Sequence, residues 1–283
     1  MDNLYECCAP GASFKEEMIP VSNNVTVRII TFTPGEKNNN PAIVFVAGWI
    51  SLIKGWQIVL REMTKDFKIY YIETREKISS IVNRKEQYSL ESIGRDMVTL
   101  ISHFNVDEKK YILFGSSLGA TAILDCCQYL EKNPLCLVLI GPNAVFTIPK
   151  WSIPVIFMFP PRLYLFLKPI IKWYLKTFYL DVESDYAQYA KYCRALDAAD
   201  PWKLKKAALP LSKYEVWDLL EDIKYPTLII GASKDVMHIP ENLHIMTEMM
   251  INATYLDLET NTLTHSKDMV KEMRKYIDQL TPP

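Results

Sequence analysis

Tyr111-Ile112-Leu113-Phe114-Gly115-Ser116-Ser117-Leu118-Gly119-Ala120-Thr121-Ala122 is the stretch on which the reading of this chain turns. An apolar run enters Gly-x-Ser-x-Gly and leaves as a helical segment, which predicts a strand, a sharp turn and a helix. A serine on so strained a turn needs neighbours without side chains two positions before and after it, so that the chain can fold back. Gly115 and Gly119 meet that need. The 283 residues hold only nine glycines, so this pair around a serine carries weight. Ser117 is the candidate nucleophile, and the plainer alternative is an ordinary glycine-rich turn.

Around this stretch, short apolar runs alternate with longer helical patterns, the arrangement of a parallel sheet flanked by helices. Strands are expected at Val25 to Thr33, Ala42 to Ala47, Lys68 to Ile72, Tyr111 to Phe114, Cys136 to Ile140, Thr227 to Ile230 and Thr254 to Leu258. From Ser89 to about Phe104, Ile93, Met97, Leu100 and Ile101 recur at helical spacing. Pro240 suits the first turn of a helix over Glu241 to Met249, and Ser266 reads as the N-cap of a helix from Lys267 to Leu280. The loop Gly35 to Pro41 reads as a surface turn.

One interval breaks the alternation. Between Gly141 and Tyr225 no strand pattern occurs, which predicts an inserted helical lid. Its first part carries Lys150, Arg162, Lys168, Lys172 and Lys176, no acids, and many aromatic and aliphatic side chains. Leu163, Phe166, Leu167, Ile170, Ile171, Tyr174, Leu175 and Phe178 follow the i, i+3, i+4, i+7 template while Lys168, Lys172 and Lys176 line another face, and Pro169 predicts a kink. Three readings stand side by side: a wall for an apolar substrate, with Phe157, Phe159, Phe166, Ile170, Trp173 and Tyr174 as contacts; peripheral membrane contact through 150–180; or packing alone. The first two are compatible. A spanning helix is not expected, because prolines 154, 160, 161 and 169 break every apolar run well short of about 20 residues.

The composition, 49% hydrophobic and 23% charged, is that of a globular protein, and a net charge of −1 gives no overall attraction to nucleic acid or anionic membrane. The N-terminus lacks a basic region followed by an apolar run, so no secretory signal is expected. Six cysteines without metal-like spacing, two pairs of them adjacent, predict free thiols and a reducing cytoplasm. Cys126 and Cys127 read as small core residues. No metal-ligand cluster and no phosphate-cradling glycine loop is visible, so neither metal nor cofactor is expected.

A serine hydroxyl at its free pKa is a poor nucleophile and needs a base and an acid to orient that base. Of the four histidines, His265 lies on a loop after the last strand pattern and is the leading base. His238, which follows the strand at Thr227, is its rival, while His103 and His244 lie within helical patterns. Thr227-Leu228-Ile229-Ile230-Gly231-Ala232-Ser233-Lys234-Asp235 reads as a buried strand and a short loop ending in an aspartate. Asp235 thus falls at the carboxyl edge of the sheet, where open parallel sheets place their chemistry. Its plainer reading is a loop aspartate bonding local backbone.

These residues resemble the α/β-hydrolase superfamily: the elbow Gly115-Ser116-Ser117-Leu118-Gly119, then Asp235, then His265, in the order Ser, Asp, His. The resemblance covers nearly the whole chain. It implies an α/β fold with a mostly parallel eight-stranded sheet and a helical cap inserted after strand 6, that is, core residues 1–142 and 224–283 with a cap over 143–223. It also implies an oxyanion hole from the backbone N–H groups of Leu118 and of Trp49 in Val46-Ala47-Gly48-Trp49. Two departures are present. Ala47-Gly48 stands where a His-Gly pair is common, and Glu73-Thr74-Arg75-Glu76-Lys77-Ile78-Ser79-Ser80 keeps the acid and arginine of an acidic-x-Arg-Gly-x-Gly-x-Ser stretch but loses both glycines. The expected activity is hydrolysis of a carboxylic ester or thioester with an apolar acyl or alkyl part. Acyl transfer by the same residues, or a non-catalytic ligand-binding role, are the alternatives, and the sequence leaves the oligomeric state open.

Overall fold

The computed structural model describes residues 3–146, 158, 160–178, 182, 186–234 and 239–281. Two antiparallel strands, β1 (Ser13–Ser22) and β2 (Val25–Thr33), open the chain, followed by β3 (Ala42–Val46), α1 (Gln57–Met63), β4 (Ile69–Glu73), the short β5 (Ile81–Val82), α2 (Leu90–His103), β6 (Tyr111–Ser116), α3 (Leu118–Cys126) and β7 (Cys136–Ile140). Helices α4 (Leu163–Phe178), α5 (Tyr186–Ala198) and α6 (Pro201–Leu211) then intervene before β8 (Thr227–Gly231), α7 (Pro240–Met249), β9 (Ala253–Asp257), the single turn α8 (Asn261–Thr264) and α9 (Lys267–Leu280).

The strands form one sheet in the order β1-β2-β4-β3-β6-β7-β8-β9, with β5 paired to β2. From β4 to β9 every neighbouring pair is parallel, while β2 meets β1 and β4 antiparallel. The seven expected strands are all present with ends shifted by a residue or two. Missing from the sequence reading were β1 and β5. β1 is an edge strand whose only buried residue is Ile19, and its Lys15, Glu16, Glu17 and Pro20 are what a solvated edge tolerates and a hydrophobic pattern search overlooks.

Alternation along the strands fills two separate cores, one per face of the sheet. Val44, Val46, Tyr111, Leu113, Leu137 and Leu139 pack with α2, α3 and α7. Ile43, Phe45, Ile112, Phe114, Val138 and Ile140 pack with α1 and α9 on the other side. Burial on both faces explains why the central strands read as unbroken apolar runs.

The helix ends obey the expected caps: Ser89 Oγ accepts the Ser92 N–H, Ser266 Oγ accepts the Asp268 N–H, and Pro240 opens α7. α4 runs through Pro169. All six cysteines are free thiols, and Cys7, Cys8, Cys126 and Cys136 are buried. No helix among the described residues is long and apolar enough to cross a membrane.

Register places the site. Val46 pairs with Gly115, Ser116 with Ile140, Ile140 with Ile230, and Gly231 with Asp257. The segments that follow these residues, which carry Gly48, Ser117, Asn143 and His265, therefore all leave the sheet at its carboxyl edge.

Candidate active site

Ser117 links β6 directly to α3 and sits at φ 51, ψ −120. That is the conformation of the first central residue of a type II′ turn, which glycine adopts freely and an L side chain does not. Strain of this kind costs on the order of 1–3 kcal/mol and persists only where the surroundings enforce it. Here the Ser117 N–H donates to Ile140 O at 2.8 Å, and its carbonyl accepts from Thr121 N at 3.0 Å. The two elbow glycines are steric necessities. A Cβ on Gly119 would stand 2.1 Å from Val46 O, and one on Gly115 would stand 2.8 Å from the backbone of Ala120.

Around Ser117 the structure adds a residue the sequence reading missed. Asn143 Nδ2 donates to Ser117 Oγ at 3.0 Å. Thr121 pins that asparagine from both sides, since its hydroxyl accepts from Asn143 N at 2.9 Å and donates to Asn143 O at 3.0 Å. Asn143 occupies a lone pair of the serine oxygen and leaves the hydroxyl proton for another acceptor. The only sequence signal for it was a turn, Gly141-Pro142-Asn143, directly after a strand end.

His265 follows α8. Its Nδ1 lies 3.0 Å from Asn261 O and 3.0 Å from Thr264 Oγ1, and the Thr264 hydroxyl spends its own proton on Asn261 O at 2.8 Å. Both partners can only accept, so Nδ1 carries the hydrogen and Nε2 is left as the acceptor. That is the tautomer a general base requires. Facing Nε2 at 3.3 Å is Lys191 Nζ of α5, which also bonds Asn261 Oδ1 at 3.2 Å. The imidazole rests on the indole of the buried Trp56, ring centroids 4.2 Å apart, and Trp56 packs edge-on against Phe45. The bonds of Ser117 Oγ to Asn143 and of His265 Nε2 to Lys191 thus do not join the serine to the histidine. Even so, Ser116, Gly141 and His265 line one small cavity of about 20 Å³ beside the elbow.

Asp235 and His238 lie outside the described residues, as do Phe157 and Phe159. His103 ends α2, and the His244 ring lies tilted beside Tyr255, centroids 4.3 Å apart. Leu118 opens α3, so its N–H is one of the helix's orphan donors at the positive end of the dipole. Gly48 packs on Ser117: a Cβ there would be 3.3 Å from Ser117 Cβ. Its carbonyl accepts from Ser51 N at 3.1 Å, closing a turn in which the β-branched Ile50 is held at φ 50.

Phe166, Ile170 and Trp173 are 77%, 59% and 58% exposed, and neither they nor Tyr174 line a cavity of about 400 Å³ that opens at His265. Gly55, Ile58, Gln188, Lys191, Thr262 and Lys267 are among the residues that border it, and most of the surface they present to it is apolar. The exposure of Phe166, Ile170 and Trp173 follows from the orientation of α4. Tyr164 Oη donates to Leu196 O at 2.8 Å, Lys168 Nζ to Asp197 O at 2.8 Å, and Lys172 pairs with the Asp197 carboxylate at 2.7 Å. Lys168 and Lys172 are thereby anchored to α5, and Phe166, Ile170 and Trp173 are turned outward while Leu163, Leu167, Ile171, Tyr174 and Leu175 are partly buried.

No family model matches the sequence, and no curated protein does either. Solved structures do resemble the chain. A hydrolase from Oleispira antarctica superposes with a TM-score of 0.73 at 17% identity, over 88% of this chain and 94% of that one. An esterase from Thermogutta terrifontis, solved with malate bound, gives 0.74 at 14% identity over 95% and 99%. An enol-lactonase from Burkholderia xenovorans gives 0.72 at 16% identity over 90% and 96%. Nearly whole-length superposition, together with the strand order and the Ser117 elbow, identifies the chain as having the α/β-hydrolase fold.

Proposed function

We propose that the protein is a serine hydrolase of carboxylic esters or thioesters. The observation that carries this reading is the strained Ser117 backbone, enforced from both sides at the carboxyl edge of the sheet. Ser117 Oγ attacks the substrate carbonyl as His265 Nε2 takes its proton, and Asp235 steadies the imidazolium. The Trp49 and Leu118 N–H groups hold the oxyanion. His265 returns the proton to the leaving alcohol or thiol, and water then releases the acid from Ser117. Before the first step Lys191 must yield its place at Nε2. Residues 143–223 act as a cap over the core, and the cavity of about 400 Å³ is within the range of small-ligand sites.

The test is intact-mass spectrometry with a fluorophosphonate, followed by peptide mapping. One adduct on Ser117 is expected, and absence of any adduct on folded protein rejects the reading. A series of p-nitrophenyl esters from acetate to decanoate then measures how much apolar chain the substrate carries.

The outward face of α4 favours a second, compatible property. Phe166, Ile170 and Trp173 are exposed together, Leu165 is 51% exposed, and the helix has no acidic residue in its first turn. An apolar exposed face edged by Arg162 and Lys176 fits the headgroup region of an anionic lipid surface. We expect flotation with vesicles containing phosphatidylglycerol at low salt and its loss in Phe166→Ser/Trp173→Ser. Binding that the double variant leaves intact, or none at all, rejects it.

A further inference from the structure

Two buried lysines run in series from the helical insertion to the loop beside the nucleophile. Lys77 is 6% exposed and its ammonium donates to Gly48 O, with Glu76 Oε1 at 3.3 Å as its counter-charge. Lys203, on α6 and 8% exposed, donates to the carbonyl of Lys77 and to that of Ser80 at 2.6 Å. Burying a lysine is costly, and desolvation lowers the pKa of both amines. Neither ammonium is spent on a carboxylate alone. Lys77 is aimed at a carbonyl of the loop at Gly48, and Lys203 at two carbonyls of the loop that carries Lys77.

What Lys77 holds is the peptide between Gly48 and Trp49. A trans peptide is planar, with its C=O and N–H directed to opposite sides, and the chain has no cis peptide among the described residues. Fixing Gly48 O therefore fixes the direction of the Trp49 N–H. The turn bond from Ser51 N alone leaves this peptide on a loop with strained Ile50, whereas the second, charged donor holds it against rotation. The loop that supplies Lys77 is the one where the superfamily pattern has glycines and this chain has Glu76 and Ile78, the two residues that flank Lys77.

We propose that Lys77 is a positioning residue for the oxyanion donor at Trp49, and that Lys203 transmits the seating of the helical insertion to it. The proposal rests on the reading of Ser117 as nucleophile. In catalysis the attack turns the substrate carbonyl into an oxyanion, and a peptide held in advance meets that charge without reorganising.

The experiment uses the full chain, with every rate normalised to sites titrated by fluorophosphonate. No labelling of folded wild type defeats the nucleophile reading itself, apart from anything Lys77 does. With labelling present, Lys77→Met is expected to lower kcat for p-nitrophenyl acetate about 10- to 100-fold with KM within about twofold, because oxyanion donors act in the transition state. Affinity for a trifluoromethyl ketone, which forms the oxyanion adduct, should fall in parallel. Lys203→Met should act in the same direction with a smaller loss, and it carries the test alone if Lys77→Met does not fold. Unchanged kcat per titrated site overturns the proposal, and so does a kcat loss that leaves ketone affinity unmoved.

Discussion

Ser117→Ala is expected to lower ester hydrolysis by a factor on the order of 10⁴ or more, with no fluorophosphonate adduct remaining, because the histidine base then has no hydroxyl to activate. The same position offers a second readout. At φ 51, ψ −120 alanine is strained as serine is, so Ser117→Ala should leave the unfolding free energy nearly unchanged. Ser117→Gly removes the Cβ that causes the strain. Against that gain stands the greater freedom of glycine in the unfolded chain, which offsets about 0.4–1 kcal/mol. We expect a net stabilisation of about 1 kcal/mol over Ser117→Ala in urea denaturation. A glycine variant less stable than the alanine one means that the elbow is not strained, and an alanine variant with wild-type turnover means that Ser117 is not the nucleophile.

The largest effect on stability is expected from Asp96→Ala. Arg75 enters the core just after β4 and grips Asp96 of α2 with two bonds, Nε to Oδ2 at 2.7 Å and Nη2 to Oδ1 at 2.6 Å, with both side chains under 10% exposed. Its remaining donors reach Gln87 O at 2.6 Å and Ser92 O at 3.1 Å. Removing the carboxylate leaves a guanidinium buried without its counter-charge, which costs about 3–5 kcal/mol. Replacing both residues, Arg75→Leu with Asp96→Leu, should recover most of that loss, since the desolvation of two charges disappears together. Chemical denaturation of the two single variants and the double variant completes the cycle. A loss for Asp96→Ala below about 1 kcal/mol would equate the pair with an exposed one and undo the argument.

Much of the fold was legible because its signals are local. The central strands read as apolar runs since both faces of the sheet are covered. The Gly115 and Gly119 spacing was readable because a Cβ at either has nowhere to go. The helix starts at Ser89, Pro240 and Ser266 follow from orphan N–H groups that any helix must satisfy. β1 escaped notice because an edge strand buries little, and the periodicity of α4 did not tell which of its apolar residues face outward. Lys168 and Lys172 found Asp197, and no periodicity within α4 carries information about that partner.

The candidate site divides along the same line. The sequence by itself determined the elbow, seven of the nine strands in their order, and His265 after the last strand, since each depends on residues adjacent or one helical turn apart. Tertiary structure alone decided that Lys191 faces His265 across 74 positions, that Asn143 reaches Ser117 across 26, and that Lys203 reaches Lys77 across 126. Such contacts exist only after the parallel register has brought the strand ends into one row. A polar side chain's partner is then fixed by loop paths and by the cost of burying an unpaired group, and neither is written in the spacing of the residues themselves.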